Sequence, residues 1–385
     1  MSTDNPPLIA PTARASLEQA LRLKLARRNE AAGGLGELEP LAVRLGLIQN
    51  ALRPRLRQPQ LLVFAGDHGL AVEVTSPDAR STGQTVEDLL ATRLPLPVFA
   101  HRQGLTVHLV DSGLATPLPP RPGVLARKIA HGTRNCRVTQ AMSIEQVHAA
   151  IRAGMEIADA LPGNVLGCAG VGVGANQAAA LVIAKLSDVP LRELAFAGPT
   201  MDIITLEQQM VVLQAAQTRH MGLEDPVEVL AAFGGFETAM MVGAMLVAAS
   251  KRHLILVDGL AACAALIVAA RIGGPVTDYC VFCRSTLHHG LDTALRSFQT
   301  TALLELGLDS VDGTGIALSW PLVQAAASLL TEVHDGNDQP PSEFGDDTSS
   351  SLLERTQPLQ VERHSAGHGT EDQATLPMPV GGLLR

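Results

Sequence analysis

The chain is poor in aromatic side chains: eight Phe, one Trp and one Tyr among 385 residues. So few flat surfaces for bases to stack on make single-stranded nucleic acid an unsuitable partner. A surplus of positive charge is also missing. Lys and Arg number 29 against 38 Asp and Glu, a formal charge of −9, which argues against a polyanionic partner beyond a local basic patch. There are only five cysteines, at 136, 168, 263, 280 and 283. An odd number, several of them in apolar runs, points to reduced thiols of a cytoplasmic protein rather than a disulfide framework. Cys280-Val-Phe-Cys283 has CxxC spacing but no second pair to close a zinc site, so both read as buried strand residues. The N-terminal stretch MSTDNPPLIAPTARAS lacks the apolar core of a signal peptide. No run of about 18 apolar residues is free of charges, so neither secretion nor membrane insertion is expected.

What the chain does have is one recurring pattern. A short apolar run stops abruptly at Gly, Asp or another polar residue, and a helix-like stretch follows. The runs are LLVFA (61–65) before GDHG, VHLV (107–110) before DSG, and NVLGCA (164–169) before GVGVG. ELAFA (193–197) before GPT, LILV (254–257) before DG and YCVFC (279–283) before RST complete the set. Runs this short and this rich in Val, Leu and Ile suit strands buried on both faces. Segments 143–161, 234–252 and 259–272 are rich in Ala, Leu and Met, as helices are. Alternation of the two predicts right-handed crossovers and an open, mostly parallel, Rossmann-like sheet with flanking helices. Ligands of such sheets bind beyond the carboxyl ends of the strands, where these polar stops collect.

The ends differ in character. Segments 16–28 and 37–50 read as helices, and another follows GTG near 315–332. The organisation expected is two helices of a small subdomain over 16–60, a parallel α/β domain over 61–310, and the last helix of the subdomain over 311–334. The remainder, 335–385, is polar, with Pro, Ser and acids, and reads as a disordered tail.

Several short stretches bear on chemistry. Gly170-Val-Gly172-Val-Gly174-Ala-Asn176 follows a strand and opens an Ala-rich helix. The turn suits either a phosphate at a helix N-terminus or a tight, closely packed strand-to-helix connection. It is neither a GxGxxG fingerprint nor a Walker A loop. Asp312, in Ser310-Val-Asp312-Gly313-Thr-Gly315, is placed to cap a helix or to act as a general base at a site's edge. Asp258 and Glu237 also sit at element ends, where caps and turn residues are the commoner roles. His288-His289 reads as a solvent-facing pair, since neighbours on a helix point in different directions. Asp67-His68, between two glycines after the first run, reads as a turn that shapes one wall of a ligand site.

Taken in order, FAGDHG, SPDARSTGQ, VDSG, QAMS, GVGVGANQAAA, LAAFGGFETAMMVGAML, LVDGLAACAAL and DGTGIALSWPL span about 64 to 322. Together with GGLGELEPLAVRLGLIQ (33–49) they resemble the nicotinate-nucleotide:dimethylbenzimidazole phosphoribosyltransferase (CobT) family. The resemblance runs from about residue 16 to 332. It implies a parallel-sheet domain with a small helical domain built from both chain ends, assembled as a homodimer. It implies transfer of the phosphoribosyl group of nicotinate mononucleotide to 5,6-dimethylbenzimidazole, giving α-ribazole 5′-phosphate and nicotinate with inversion. Asp312 stands where the family has its Glu base, and Ser76 and Gln84 match residues beside the benzimidazole. Gly172, Gly174 and Asn176, with Gly313 and Gly315, match the nucleotide-binding turns. Neither a cofactor nor a metal is implied, and the partners are small molecules and a second copy of the chain.

The sequence also departs from that family. Asp312 is one methylene shorter than Glu, Gly170 replaces a Glu, Ala175 replaces an Asn (with Asn176 adjacent), and Gln209 replaces a Lys. A non-catalytic ligand-binding or regulatory relative, or a transferase with another acceptor such as a purine or a phenolic compound, are the alternatives these departures raise.

Overall fold

In the computed structural model, residues 9–76, 79–196, 201–285 and 289–334 are described. The predicted tail, 335–385, and His288 lie outside them. Six strands form one sheet in the order β3-β2-β1-β4-β5-β6, every neighbouring pair parallel. The strands are β1 (Gln60–Gly66), β2 (Thr106–Gly113), β3 (Val124–Ala126), β4 (Val165–Val171), β5 (Leu254–Val257) and β6 (Cys280–Phe282). A separate parallel pair joins β7 (Arg284–Ser285) to β8 (Leu304–Glu305). All residues of β1 and β4 are buried, as continuous apolar strands covered on both faces must be.

The predicted strands correspond to β1, β2, β4, β5 and β6, with one correction. The first three residues of ELAFA are not a strand: they belong to a short helix, Leu191–Ala195, after Pro190, which buries Leu191, Leu194 and Ala195 on one side, while Ala197 lies outside the described residues. A run of four or five apolar residues fits either element, and helical spacing decides here.

The predicted central helices are Ile144–Ala160, Phe236–Ser250 and Leu260–Gly273. The first two approach so closely that small residues are required at their crossing. A Cβ on Gly154 would stand 1.9 Å from the Met240 carbonyl oxygen, and one on Gly243 would stand 1.9 Å from that of Ile151. Gly154→Ala is therefore expected to destabilise the protein by about 1–3 kcal/mol through overpacking. Urea denaturation measures this, and an unchanged midpoint contradicts the close approach.

Helices Ala15–Ala32, Leu38–Gln49 and Thr314–Thr331 pack on one another. Lys24 Nζ donates to the Leu330 carbonyl at 2.9 Å, tying the first of these helices to the last. Thr314–Thr331 is long and apolar enough to cross a membrane by length and composition, but it is a core helix with Ile316, Trp320, Val323 and Leu330 buried.

Candidate active site

The strand order reverses between β1 and β4, which opens a crevice at their carboxyl ends. The β1 turn is stapled to its neighbours by Asp67. Its N–H donates to the Gly113 carbonyl at 3.1 Å, its own carbonyl accepts from Thr133 N at 2.9 Å, and Oδ2 accepts from Ala115 N at 2.7 Å. His68 turns inward. Its Nε2 lies 3.0 Å from Glu237 Oε1, with both side chains 1% exposed. The Thr238 hydroxyl donates to the same oxygen at 3.0 Å, and Oε2 has no hydrogen-bond partner among the described residues.

Burial works to lower the His68 pKa, but the charge and hydrogen bond of Glu237, with Asp67 nearby, outweigh it and the net shift is upward. Burial likewise works to raise Glu237, and His68 with the local donors carries it below the usual carboxylate value. The two directions agree on an imidazolium–carboxylate pair.

The β4 turn meets this floor. A Cβ on Gly172 would lie 2.3 Å from the Gly66 carbonyl oxygen, so the end of β1 and the loop after β4 touch backbone to backbone. Val173 N donates to the Thr82 hydroxyl at 3.0 Å, which fixes the glycine turn against the start of helix Thr82–Leu90. Gly174 caps helix Ala175–Leu186, and Asn176 is exposed in its first turn. Unpaired amides and the helix dipole make such a start favourable for an anion. Gly170 is different. It lies inside β4, and a Cβ there would be 2.8 Å from the Ala261 methyl, so a Glu has no room. Gln209 is buried, donating to the Val74 carbonyl at 2.9 Å and accepting from Gln177 at 3.4 Å. Its amide holds two parts of the scaffold together.

Beside the β1 turn is a cavity of about 780 Å³, lined among others by Asp67, Arg80, Gln84, Asp88, Leu114 and Leu118. Arg80 and Arg93 both pair with Asp88. Gln84 belongs to this wall, and its Oε1 closes a capping box by accepting from Ser81 N at 2.9 Å. Ser76 is exposed, ahead of Pro77 and Asp78, and is not part of the wall.

The second acidic centre lies beyond β5. Asp258 is buried, and its Oδ2 accepts from Gly313 N at 2.6 Å and Gly315 N at 2.9 Å. Asp312 therefore does not cap the helix it precedes. Gly313 holds the N-cap position at φ +97°, a conformation suited to glycine, and Asp258 supplies the capping oxygen from the loop after β5. The amides of Gly313 and Gly315 are thus engaged within the protein. Arg284 joins the acids: Nε donates to Asp258 Oδ1 at 2.8 Å and Nη2 to Asp312 Oδ1 at 2.7 Å. Asp312 is 18% exposed, and among the described residues its Oδ2 makes no hydrogen bond. Burial raises its pKa, Arg284 opposes the rise and Asp258 adds to it, and the carboxyl is pushed up to about 7. A partly exposed acid with a free oxygen and a midpoint near neutrality can take up a proton at physiological pH.

Arg284 and Thr82 were not legible as site residues. One follows a strand as though it were a surface stop, and the other is a lone hydroxyl at a helix start.

Comparison with known proteins agrees with the architecture. The pattern of the DBI_PRT phosphoribosyltransferase family matches residues 10–338. The nicotinate-nucleotide–dimethylbenzimidazole phosphoribosyltransferase of Cupriavidus taiwanensis is 41% identical over 322 residues, covering 83% of this chain and 93% of the relative. That of Dechloromonas aromatica is 40% identical over 324 residues, covering 82% and 93%. The crystal structure of CobT from Thermus thermophilus superposes with a TM-score of 0.77 at 28% identity, covering 82% of this chain and 96% of that one. Family pattern, relatives and fold coincide over the same residues, and the chain belongs to the DBI_PRT phosphoribosyltransferase family.

Proposed function

We propose that the protein transfers the phosphoribosyl group of nicotinate mononucleotide to 5,6-dimethylbenzimidazole or a related base, with Asp312 as the general base. The observation that carries this reading is the Asp312 carboxylate: partly exposed, with one oxygen making no hydrogen bond among the described residues and its pKa pushed up to about 7. Pyridinium is a built-in leaving group, so its departure needs no acid. As one nitrogen of the incoming base attacks the anomeric carbon in line, the other must lose a proton, and a held carboxylate supplies the acceptor.

The donor phosphate is assigned to the turn of Gly172 and Gly174 and the first turn at Asn176. Gly313 and Gly315 carry the backbone that sets Asp312 beside the nucleotide. Gln84 lines the acceptor side, and Ser76 is assigned to the acceptor on the family resemblance alone. The helices 16–60 and 311–334 form the small subdomain beside the 61–310 domain. The reading includes a homodimer, and a cytoplasmic location consistent with free, buried thiols at all five cysteines.

Purified protein incubated with nicotinate mononucleotide and a panel of benzimidazoles, purines and phenols is expected to release nicotinate and form a new riboside phosphate. Calorimetric binding of the nucleotide without turnover on any base overturns the reading in favour of a non-catalytic relative.

A further inference from the structure

Asp258, Arg284 and Asp312 come from three separate parts of the chain, and the proposed reaction uses only the last. We propose that Arg284, anchored by Asp258, is the positioning residue for Asp312, fixing Oδ1 so that Oδ2 is the oxygen offered to the acceptor base. The inference rests on Asp312 being that base.

The geometry is that of a seat. Arg284 is 3% exposed, and its planar fork spans both acids, Nε on Asp258 and Nη2 on Asp312. The same guanidinium grips the loop that carries Asp312. Nη1 donates to the Ser310 hydroxyl at 3.0 Å and Nη2 to the Ser310 carbonyl at 2.9 Å. Position and orientation of the carboxylate are therefore set by one rigid group.

Gly259 forms the opposing wall. A Cβ there would lie 1.9 Å from Asp312 Oδ2 and 2.1 Å from its Cγ, so the carboxylate rests directly against the glycine backbone. Oδ2 lies nearer that wall than Oδ1, which a Cβ on Gly259 would meet only at 2.6 Å, so the glycine leaves the carboxylate no room to turn, and Oδ2 is the oxygen that Arg284 leaves without a hydrogen bond among the described residues. Asp is shorter than Glu and cannot seek a proton by extending, so a fixed placement matters more for it. Among the described residues, the charged and titratable groups facing Asp312 are Arg284, Asp258 and the buried thiol of Cys263. Arg284 is the cation between two carboxylates, and removing it leaves them opposed.

Arg284→Lys and Arg284→Gln separate charge from fork. Two measurements are made on each: the pH profile of kcat/KM for nicotinate release, and the ¹³C titration of the Asp312 carboxyl, assigned by its loss in Asp312→Asn. In Arg284→Gln the acidic limb and the carboxyl midpoint are expected to rise by about one unit or more. In Arg284→Lys both are expected to stay close to wild type while kcat falls by about 10- to 100-fold, because the charge remains and the placement is lost. KM for the nucleotide is expected to stay unchanged in both. A carboxyl midpoint in Arg284→Gln equal to wild type, or an Arg284→Lys protein with wild-type kcat, overturns the proposal. Should Arg284→Gln not fold, the lysine variant decides it. Wild-type protein that releases no nicotinate overturns the reaction reading instead, and the carboxyl titration still decides whether Arg284 seats Asp312.

Discussion

Asp312→Asn is expected to lower kcat by about 10²- to 10⁴-fold, the range general-base catalysis contributes, with the nucleotide still bound. Asparagine keeps the shape and can still accept from Arg284, so the loss reports the missing proton acceptor. The wild-type pH profile follows from the same carboxyl. A base works when deprotonated, and this one is pushed up to about 7 by burial and by Asp258 against the pull of Arg284. Turnover should therefore rise with pH through about 7 and level off above it, whereas an ordinary carboxylate would put the rise near 4. Steady-state kinetics of nicotinate release across pH 5 to 9 measure both effects. Near-full activity in Asp312→Asn would move the proton acceptor elsewhere while leaving the family and fold intact.

Much of the fold was legible because buried parallel strands are written as uninterrupted apolar runs with polar stops. β1, β4 and β5 stand out in this way, and their stops do lie along one edge. ELAFA had the same look, yet its first three residues end a helix, because so short a run cannot distinguish the two periods. Of the candidate site, sequence offers the parts whose chemistry is local: the glycine turn at 172–174 and the acid at 312, just ahead of Gly313. What sequence could not give is long-range pairing. Asp258 caps a helix that begins far along the chain, and Arg284 is buried by two acids that no spacing rule connects to it. Gln209 and Gly170 stood out as departures from a resemblance. Their physical sense, a scaffold amide and a filled interior, came only from their neighbours.

The largest stability effect is expected from the ion pair beneath the β1 turn. Each partner of His68–Glu237 is 1% exposed, and Glu237 Oε2 is already without a partner among the described residues. Removing one member leaves a buried charge facing none, which costs about 3–5 kcal/mol, while removing both is far milder. His68→Leu or Glu237→Leu should each lower the free energy of unfolding by that amount. The double variant should fall well short of their sum, a coupling that double-mutant denaturation measures directly. The pH dependence has two limbs. The His68 pKa is raised, so its contribution is whole below the unfolded value of about 6.5 and fades as pH climbs through the folded one. The Glu237 pKa is lowered, so its contribution is whole above the unfolded value of about 4.3 and fades as pH falls through the folded one. Wild type should thus keep the pair between these limits, and both single variants should lose both limbs. Strictly additive losses, or variants with the wild-type pH profile, would mean that the pair is not ionised. The turn behind Asp67 would then be held by the hydrogen bonds of Asp67 and a neutral His68–Glu237 contact.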